Sequence, residues 1–184
     1  MPLSIDDIRG LFARVGDRQY TGEPVTQLQH ALQTASMAEA AGADDELVTA
    51  ALLHDLGHML NDQGATPTLH GVDDTHQYFA IPFLRGVFSE RVLEAIRLHV
   101  DAKRYLCSVQ PDYHAELSED SKRSLVLQGG VFNVSTAAQF IARNGAAEAV
   151  QLRLWDDLAK APDCVTAPLA HFLERAARCA LSRL

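Results

Sequence analysis

The chain has 184 residues, 47% of them hydrophobic and 22% charged, with a formal net charge of −8. That length suits one domain able to bury a sizeable core. The acidic balance excludes a general nucleic-acid binder, which needs a basic face. A small anionic ligand stays open, because a few local Lys and Arg outweigh net charge within a pocket. Cys107, Cys164 and Cys179 are odd in number and show no CxxC spacing, which points to reduced thiols and no zinc–thiolate site. The first residues lack the basic-then-apolar order of a signal peptide, and no apolar run approaches membrane-spanning length, so the expectation is a cytoplasmic protein with no membrane partner. Alanine and leucine are abundant and strand-like alternation is scarce, which predicts an all-α fold.

Taken in order, Ser4 with Asp7 opens a helix to about Val15 with Ile5, Ile8, Leu11 and Phe12 on its apolar face, ended by Gly16. Gln19 to Pro24 is a turn-like segment holding Tyr20 and Glu23. Pro24 and Thr26 start a second helix that runs to Ala41 with Gly42 as its stop, and His30 falls among its inward residues. Asp44 and Asp45 favour the start of a third. This helix is apolar nearly all round from Leu47 to Leu56 and ends in His54-Asp55-Leu56-Gly57-His58. His54 and His58, four apart, are expected on one side of it.

Asn61 to Asp74 reads as a polar loop with His70 on the surface. Thr75 is the expected cap of a helix carrying His76 and Phe79 and interrupted at Pro82. Ser89 is the expected cap of the next, which carries Val92, Ile96, His99 and, one turn on, Lys103. Tyr113 and His114 fall in a loop, and Ser118 opens a short helix from Ser121 to Leu127. Gly129-Gly130 reads as a helix stop, a close approach to ligand or a plain linker. Asn144-Gly145 separates two helices, the second reaching Lys160, with one of Asp156 and Asp157 facing inward and the other water. An amphipathic scaffold helix follows from about Ala167 to Leu184.

Ionisable groups at the end of a buried helix are costly unless paired or bound to metal. The inward candidates are His30, His54, Asp55, His76, His99 and one of Asp156 or Asp157. Four imidazoles and two carboxylates exceed what one metal needs and suit two. Nitrogen and oxygen donors without thiolate fit iron, manganese or zinc, and spacing alone does not choose among them.

With these residues in hand, the chain from about Gln19 to Lys160 resembles the HD-domain superfamily of helical metalloproteins, whose mark is a separate His, a His-Asp pair and a distant Asp. It is most similar to the HD-domain mixed-valent diiron oxygenases, in particular the organophosphonate oxygenases, with myo-inositol oxygenase a distant relative. The motifs behind this are Tyr20-x-x-Glu23 ahead of His30, His54-Asp55-x-x-His58, His99-x-x-x-Lys103, Ser121-x-x-Ser124-x-x-x-Gln128-Gly129-Gly130 and Arg153-x-x-Asp156-Asp157-x-x-Lys160. The resemblance implies a single HD-domain bundle over residues 1–184, its core at about 19–160 and the last helix packed on it. It implies two iron ions bridged by Asp55, one held by His30, His54 and Asp156, the other by His76 and His99, with O2 as co-substrate.

The activity so implied is oxidative cleavage of the carbon–phosphorus bond of a 1-hydroxy-2-(amino or trimethylammonio)ethylphosphonate, giving glycine or glycine betaine and phosphate. Tyr20 and Glu23 resemble a substrate-responsive pair, the tyrosine at an iron position and the glutamate toward the substrate ammonium. Asp55, His58 and Tyr20 are the candidate catalytic residues. The phosphonate's charge is matched by His58, Lys103 and Arg153, with neutral hydrogen bonds from Ser121, Ser124 and Gln128. A trimethylammonium also wants aromatic faces, for which Tyr105, Tyr113 and Phe132 are candidates. The competing readings are an HD-type phosphohydrolase acting on a nucleotide or phosphate ester, and a non-catalytic helical module.

Overall fold

Ser4, Thr26, Asp44, Ser118 and Asn133 each accept a backbone N–H from three residues on, and a helix follows each, because a side-chain oxygen there satisfies a donor the helix itself leaves unpaired. The computed structural model describes residues 1–20, 22–61 and 67–181. Thr21, the early part of the polar segment after Asn61 and the last three positions of the expected C-terminal helix lie outside the described residues. Those described form α1 (Ile5–Val15), α2 (Gln27–Ala40), α3 (Asp45–Leu53), α4 (Leu56–Leu60), α5 (His76–Phe79), α6 (Ile81–Leu84), α7 (Glu90–Val109), α8 (Tyr113–Glu116), α9 (Glu119–Leu127), α10 (Val134–Ile141), α11 (Ala146–Leu158) and α12 (Leu169–Cys179). A 3-10 turn covers Pro67–His70. Among the described residues there is no strand beyond two isolated bridges, and no helix is long and apolar enough to cross a membrane.

α3 is the central element. Every residue from Val48 to Leu53 is buried, because α2, α7, α11 and α12 all pack around it; this is the reason its sequence is apolar all round. The main core gathers Ile8, Phe12, Leu52, Leu53, Ile96, Leu152 and Phe172, each contributing about 1.5–3 kcal/mol of burial. Two smaller clusters lie beyond it, one around Leu98, Phe132 and Phe140 and one around Leu106, Tyr113 and Leu125.

Several boundaries differ from the expectation, each for a local reason. The third helix stops at Leu53, so His54 is its C-cap while His58 lies on α4. Thr75 makes no side-chain cap and takes a left-handed conformation, φ +50°. Ser89 Oγ donates to Glu46 instead of capping α7. Tyr113 and His114 lie in the short helix α8, and α9 begins two residues before Ser121. Both Gly129 and Gly130 have positive φ and Arg104 donates to both carbonyls, so the pair acts as a helix stop. α11 ends before Lys160, whose ammonium pairs with Glu23. Asp157 faces Arg153 and Tyr113 rather than water.

α12 buries Phe172, Leu173 and Ala176 and is tied to the start of α3 by Arg175 and Arg178, which both reach Asp45. These guanidiniums, Arg178 foremost, hold the Asp45 carboxyl down to about 2. A depressed carboxyl stabilises the fold above its unfolded value and loses that contribution as pH falls through the folded one. Asp45→Asn is therefore expected to cost about 1 kcal/mol at pH 7, the scale of a solvent-exposed network. The gap from wild type should narrow between pH 4 and pH 2, as read by urea denaturation across that range.

Candidate metal centre

Four buried imidazoles are each anchored through Nδ1. His30 donates to the Ala159 carbonyl at 2.9 Å, His54 to Ala51 at 2.9 Å and His99 to Ile96 at 2.6 Å, while His76 donates to Asp74 Oδ1 at 2.7 Å. Carbonyl and carboxylate oxygens only accept, so each Nδ1 carries the hydrogen and the Nε2 of a neutral ring is a bare lone pair. Those lone pairs face one another, His30 Nε2 to His54 Nε2 at 3.2 Å and His76 Nε2 to His99 Nε2 at 3.1 Å. At that distance the facing nitrogens share positive charge, from a proton on one of them or from a metal ion.

The carboxylates complete two fully buried groups, His30–His54–Asp156 and Asp55–His76–His99, and a third, less buried one, His58–Asp74–His76, with ligand atoms inside each group within 4.8 Å of one another; the two buried groups are the ones that Asp55 joins. Asp55 serves both. Its Oδ2 lies 3.5 Å from His30 Nε2 and 3.4 Å from His54 Nε2, and its Oδ1 lies 3.2 Å from His76 Nε2 and 3.6 Å from His99 Nε2. Asp55 Oδ2 and Asp156 Oδ1 are buried and have no hydrogen-bond partner. Orphaned carboxylate oxygens beside imidazole nitrogens are a donor set that fits divalent first-row metals. Burial disfavours charge on His54, yet the Asp55 and Asp156 carboxylates lift it to about 10, a field that favours a positive charge at that point. Burial, then His76 and His54, hold His99 well below its ordinary value, keeping it a neutral donor.

The chain reaches this geometry by breaking a helix. Asp55 sits at φ −101°, ψ 13°, in the sparsely populated bridge region where many active-site residues sit. The break frees the Ala51 carbonyl to receive His54 Nδ1, since the last carbonyls of a helix lack partners. It also turns α4 so that Gly57 rests on the backbone of His76. A Cβ at Gly57 would lie 2.1 Å from the His76 carbonyl oxygen, so no other residue permits this approach. On α11, Arg153 Nη1 holds Asp156 Oδ2 at 2.8 Å and leaves Oδ1 facing His30 at 3.3 Å. The segment just beyond α11 supplies the Ala159 carbonyl for His30, while Gln33 and Ala161 exchange two hydrogen bonds beside it.

Over the metal groups lies a cavity of about 50 Å³ lined by Tyr20, His58, Lys103, Ser121, Ser124, Gln128 and Arg153, with Asp55, His76, His99 and Asp156 at its floor. Tyr20 stacks on His30, ring centroids 4.0 Å apart, and burial, then Asp55 and Asp156, raise its phenol well above the ordinary value. Lys103 is 2% exposed and donates to Ser124 Oγ at 2.7 Å. Burial first, then Arg153, push it down to about 7. No carboxylate pairs with it among the described residues. Gln128 Oε1 is buried without a partner. The cavity thus offers a lysine, a histidine and neutral hydrogen-bonding groups, whereas the guanidinium of Arg153 is already committed to Asp156 and Asp157.

Of the substrate contacts that the resemblance implies, Glu23 stands away from the cavity lining, its carboxylate 2.9 Å from Lys160 Nζ, and the metal-group residues His30 and His54 lie behind that lining. Tyr105 and Phe132 pack with Phe140, and Tyr113 donates to Asp157, so none of these three aromatics lines the cavity. Sequence reasoning passes over Asp74, which contacts both His58 and His76. The available signal was a carboxylate two residues before a candidate ligand.

Fold and site together define an all-helical protein in which buried histidines and aspartates from α2, α5, α7, α11 and the α3–α4 turn form groups able to hold metal ions. An HD domain model matches residues 28–128. The chain is 37% identical over 172 residues to a [1-hydroxy-2-(trimethylamino)ethyl]phosphonate dioxygenase (glycine-betaine-forming) of Leisingera caerulea, covering 91% of this chain and 86% of the relative. It is 43% identical over 156 residues to a hydroxymethylphosphonate dioxygenase of Gimesia maris, covering 83% and 78%. The chain belongs to the HD-domain family, in the branch that contains these phosphonate dioxygenases.

Gly57→Ala tests the backbone contact that brings α4 onto α5. Overlap with a carbonyl is not relieved by a side-chain rotation, so a destabilisation of roughly 1–3 kcal/mol is expected. Calorimetry should show a melting temperature lower by about 3–10 °C. Metal titration should show weaker binding at the group containing His76.

Proposed function

We propose that the protein is a dioxygenase that oxidatively cleaves the carbon–phosphorus bond of a 1-hydroxyalkylphosphonate, with two iron ions as cofactor. The observation that carries this is the Asp55 carboxylate, whose two oxygens face two separate pairs of imidazoles. His30, His54 and Asp156 would hold one ion, His76 and His99 the other, with Asp55 between them. Ligands drawn from α2 through α11 support treating the whole chain as one catalytic unit. When bound, the irons supply Lewis acidity and redox capacity toward O2. The reaction balances without an external reductant: a hydroxymethylene phosphonate and one O2 give a carboxylic acid and hydrogen phosphate.

The side chains bind, orient and exclude water. Lys103 and His58 match the phosphonate's charge, and Ser121, Ser124 and Gln128 offer neutral hydrogen bonds. Arg153 keeps Asp156 aimed at His30. Tyr20, protonated and stacked on His30, shields the first group and gives way as substrate enters.

The fuller substrate is a 1-hydroxy-2-(amino or trimethylammonio)ethylphosphonate, giving glycine or glycine betaine and phosphate. The glycine-betaine-forming relative supports the trimethylated form. Tyr20, the one aromatic other than histidine in the lining among the described residues, gives little of the aromatic surface a trimethylammonium prefers, which favours the primary amine. An ammonium approaching Glu23 competes with Lys160.

Iron-loaded protein is expected to consume O2 and release phosphate in equal amounts with such a phosphonate, and to release none under strict anaerobiosis. Anaerobic phosphate release would turn the reading toward hydrolysis. Asp55→Ala is expected to lose both ions; elemental analysis finding two ions per chain would rule out the bridge. Lys103→Ala is expected to raise KM by roughly 10–100-fold, the loss of one charge-assisted contact, with iron content unchanged. Because Lys103 loses its charge above about 7, wild-type kcat/KM should fall as pH rises through that value. In Lys103→Arg the fall should disappear.

A further inference from the structure

Asp74 stands outside the two groups that Asp55 joins and clusters with His58 and His76, where its two oxygens are already engaged by the Nδ1 atoms of those rings. Oδ1 accepts from His76 Nδ1 at 2.7 Å and from the His76 backbone N–H at 3.3 Å, and Oδ2 lies 2.9 Å from His58 Nδ1 as an ion pair. The two rings it serves lie face to face, centroids 4.1 Å apart and 23° from parallel. Thr75, between Asp74 and His76, holds φ +50°, which costs a residue with a Cβ roughly 1–2 kcal/mol. That turn lets a carboxylate reach the ring only two residues further on. Among the four candidate ligand imidazoles, His76 is the one whose Nδ1 meets a carboxylate instead of a backbone carbonyl.

On its far side His76 Nε2 lies 3.2 Å from Asp55 Oδ1, so the ring spans two carboxylates. His58, served by the other oxygen, lines the cavity and has its Nε2 3.8 Å from Asp55 Oδ1.

We infer that Asp74 is a positioning residue shared by two rings. One carboxylate aims His76 Nε2 at the metal group and His58 Nε2 at the substrate cavity, so the geometry of a ligand and that of the anion-binding histidine are set together. This rests on the proposed function only in taking His76 as a ligand and His58 as facing substrate. A carboxylate behind a ligating histidine fixes its tautomer and raises its basicity, and removing such a partner typically costs 10–100-fold in metal affinity. Sharing one carboxylate has a further consequence. In Asp74→Asn the amide offers one acceptor oxygen and one NH2 donor, so only one of the two Nδ1–H groups keeps an acceptor, and the other ring must turn over or change tautomer.

The test uses zinc-loaded protein, diamagnetic and requiring no turnover, with 15N-labelled histidine. Long-range 15N–1H spectra of the wild type are expected to show hydrogen on Nδ1 of both His58 and His76. Asp74→Asn is expected to lose it on one of the two and to bind one of its zinc ions roughly 10–100-fold more weakly in a competitive titration. Asp74→Glu, which keeps both acceptors, should recover part of that affinity. A bare Nδ1 on either ring of the wild type would overturn the assignment without any variant having to fold. So would a folded Asp74→Asn protein that keeps hydrogen on both Nδ1 atoms with unchanged zinc affinity. Neither readout depends on oxygen or phosphonate, so failure of the oxygenase reading leaves this result standing, and the reverse.

Discussion

Four imidazole Nε2 lone pairs pressed toward one another set the terms for the rest of this molecule. Each ring could relieve the repulsion by turning over, but its Nδ1–H is held by a fixed acceptor, and in three cases that acceptor is a backbone carbonyl within or just beyond a helix. The geometry therefore belongs to the packing of α2, α3, α7 and α11 rather than to the side chains alone. Positive charge between the rings turns an unfavourable arrangement into a stable one, and Asp55 and Asp156 supply the matching negative charge.

Such a centre needs helices that approach closely at different depths. α3 delivers His54 from the middle of the core and then breaks, so that Asp55 stands between both groups and not on one helical face. Gly57 lets α4 lie on the backbone of His76. Arg153, on the same helix as Asp156, keeps one carboxylate oxygen occupied and the other exposed to the imidazoles. Beyond α11, the Ala159 carbonyl holds His30, and the Lys160–Glu23 ion pair ties the Tyr20 turn to the same segment.

Charge is distributed with the same economy. The chain carries −8 overall, yet the cavity above the metal groups contains a lysine without a carboxylate partner among the described residues. A buried ammonium of this kind is costly unless an anion arrives to meet it. The guanidinium nearby is already balanced by two aspartates, which leaves Lys103 as the cation most available to an anionic substrate.

The residues by themselves determined the helical class, most helix starts and the set of His and Asp that converge, because capping, apolar periodicity and the cost of burying ionisable groups are all local in sequence. The resemblance to HD-domain oxygenases rested on the order of those same residues. Tertiary structure alone decided the rest. The break at His54–Asp55 was invisible in a run whose apolar residues continue through Leu56, since what accompanies the end of the helix is the convergence of His54 and Asp55 on imidazoles and a carboxylate from other helices, not propensity. Asp157 looked like a solvated neighbour of Asp156 until Arg153 and Tyr113 closed around it. Glu23 was removed from the cavity by Lys160, 137 positions away, and Asp74 gained its two rings only when α4 and α5 met. Pairings of that range depend on how helices pack, and spacing along a chain carries no record of them.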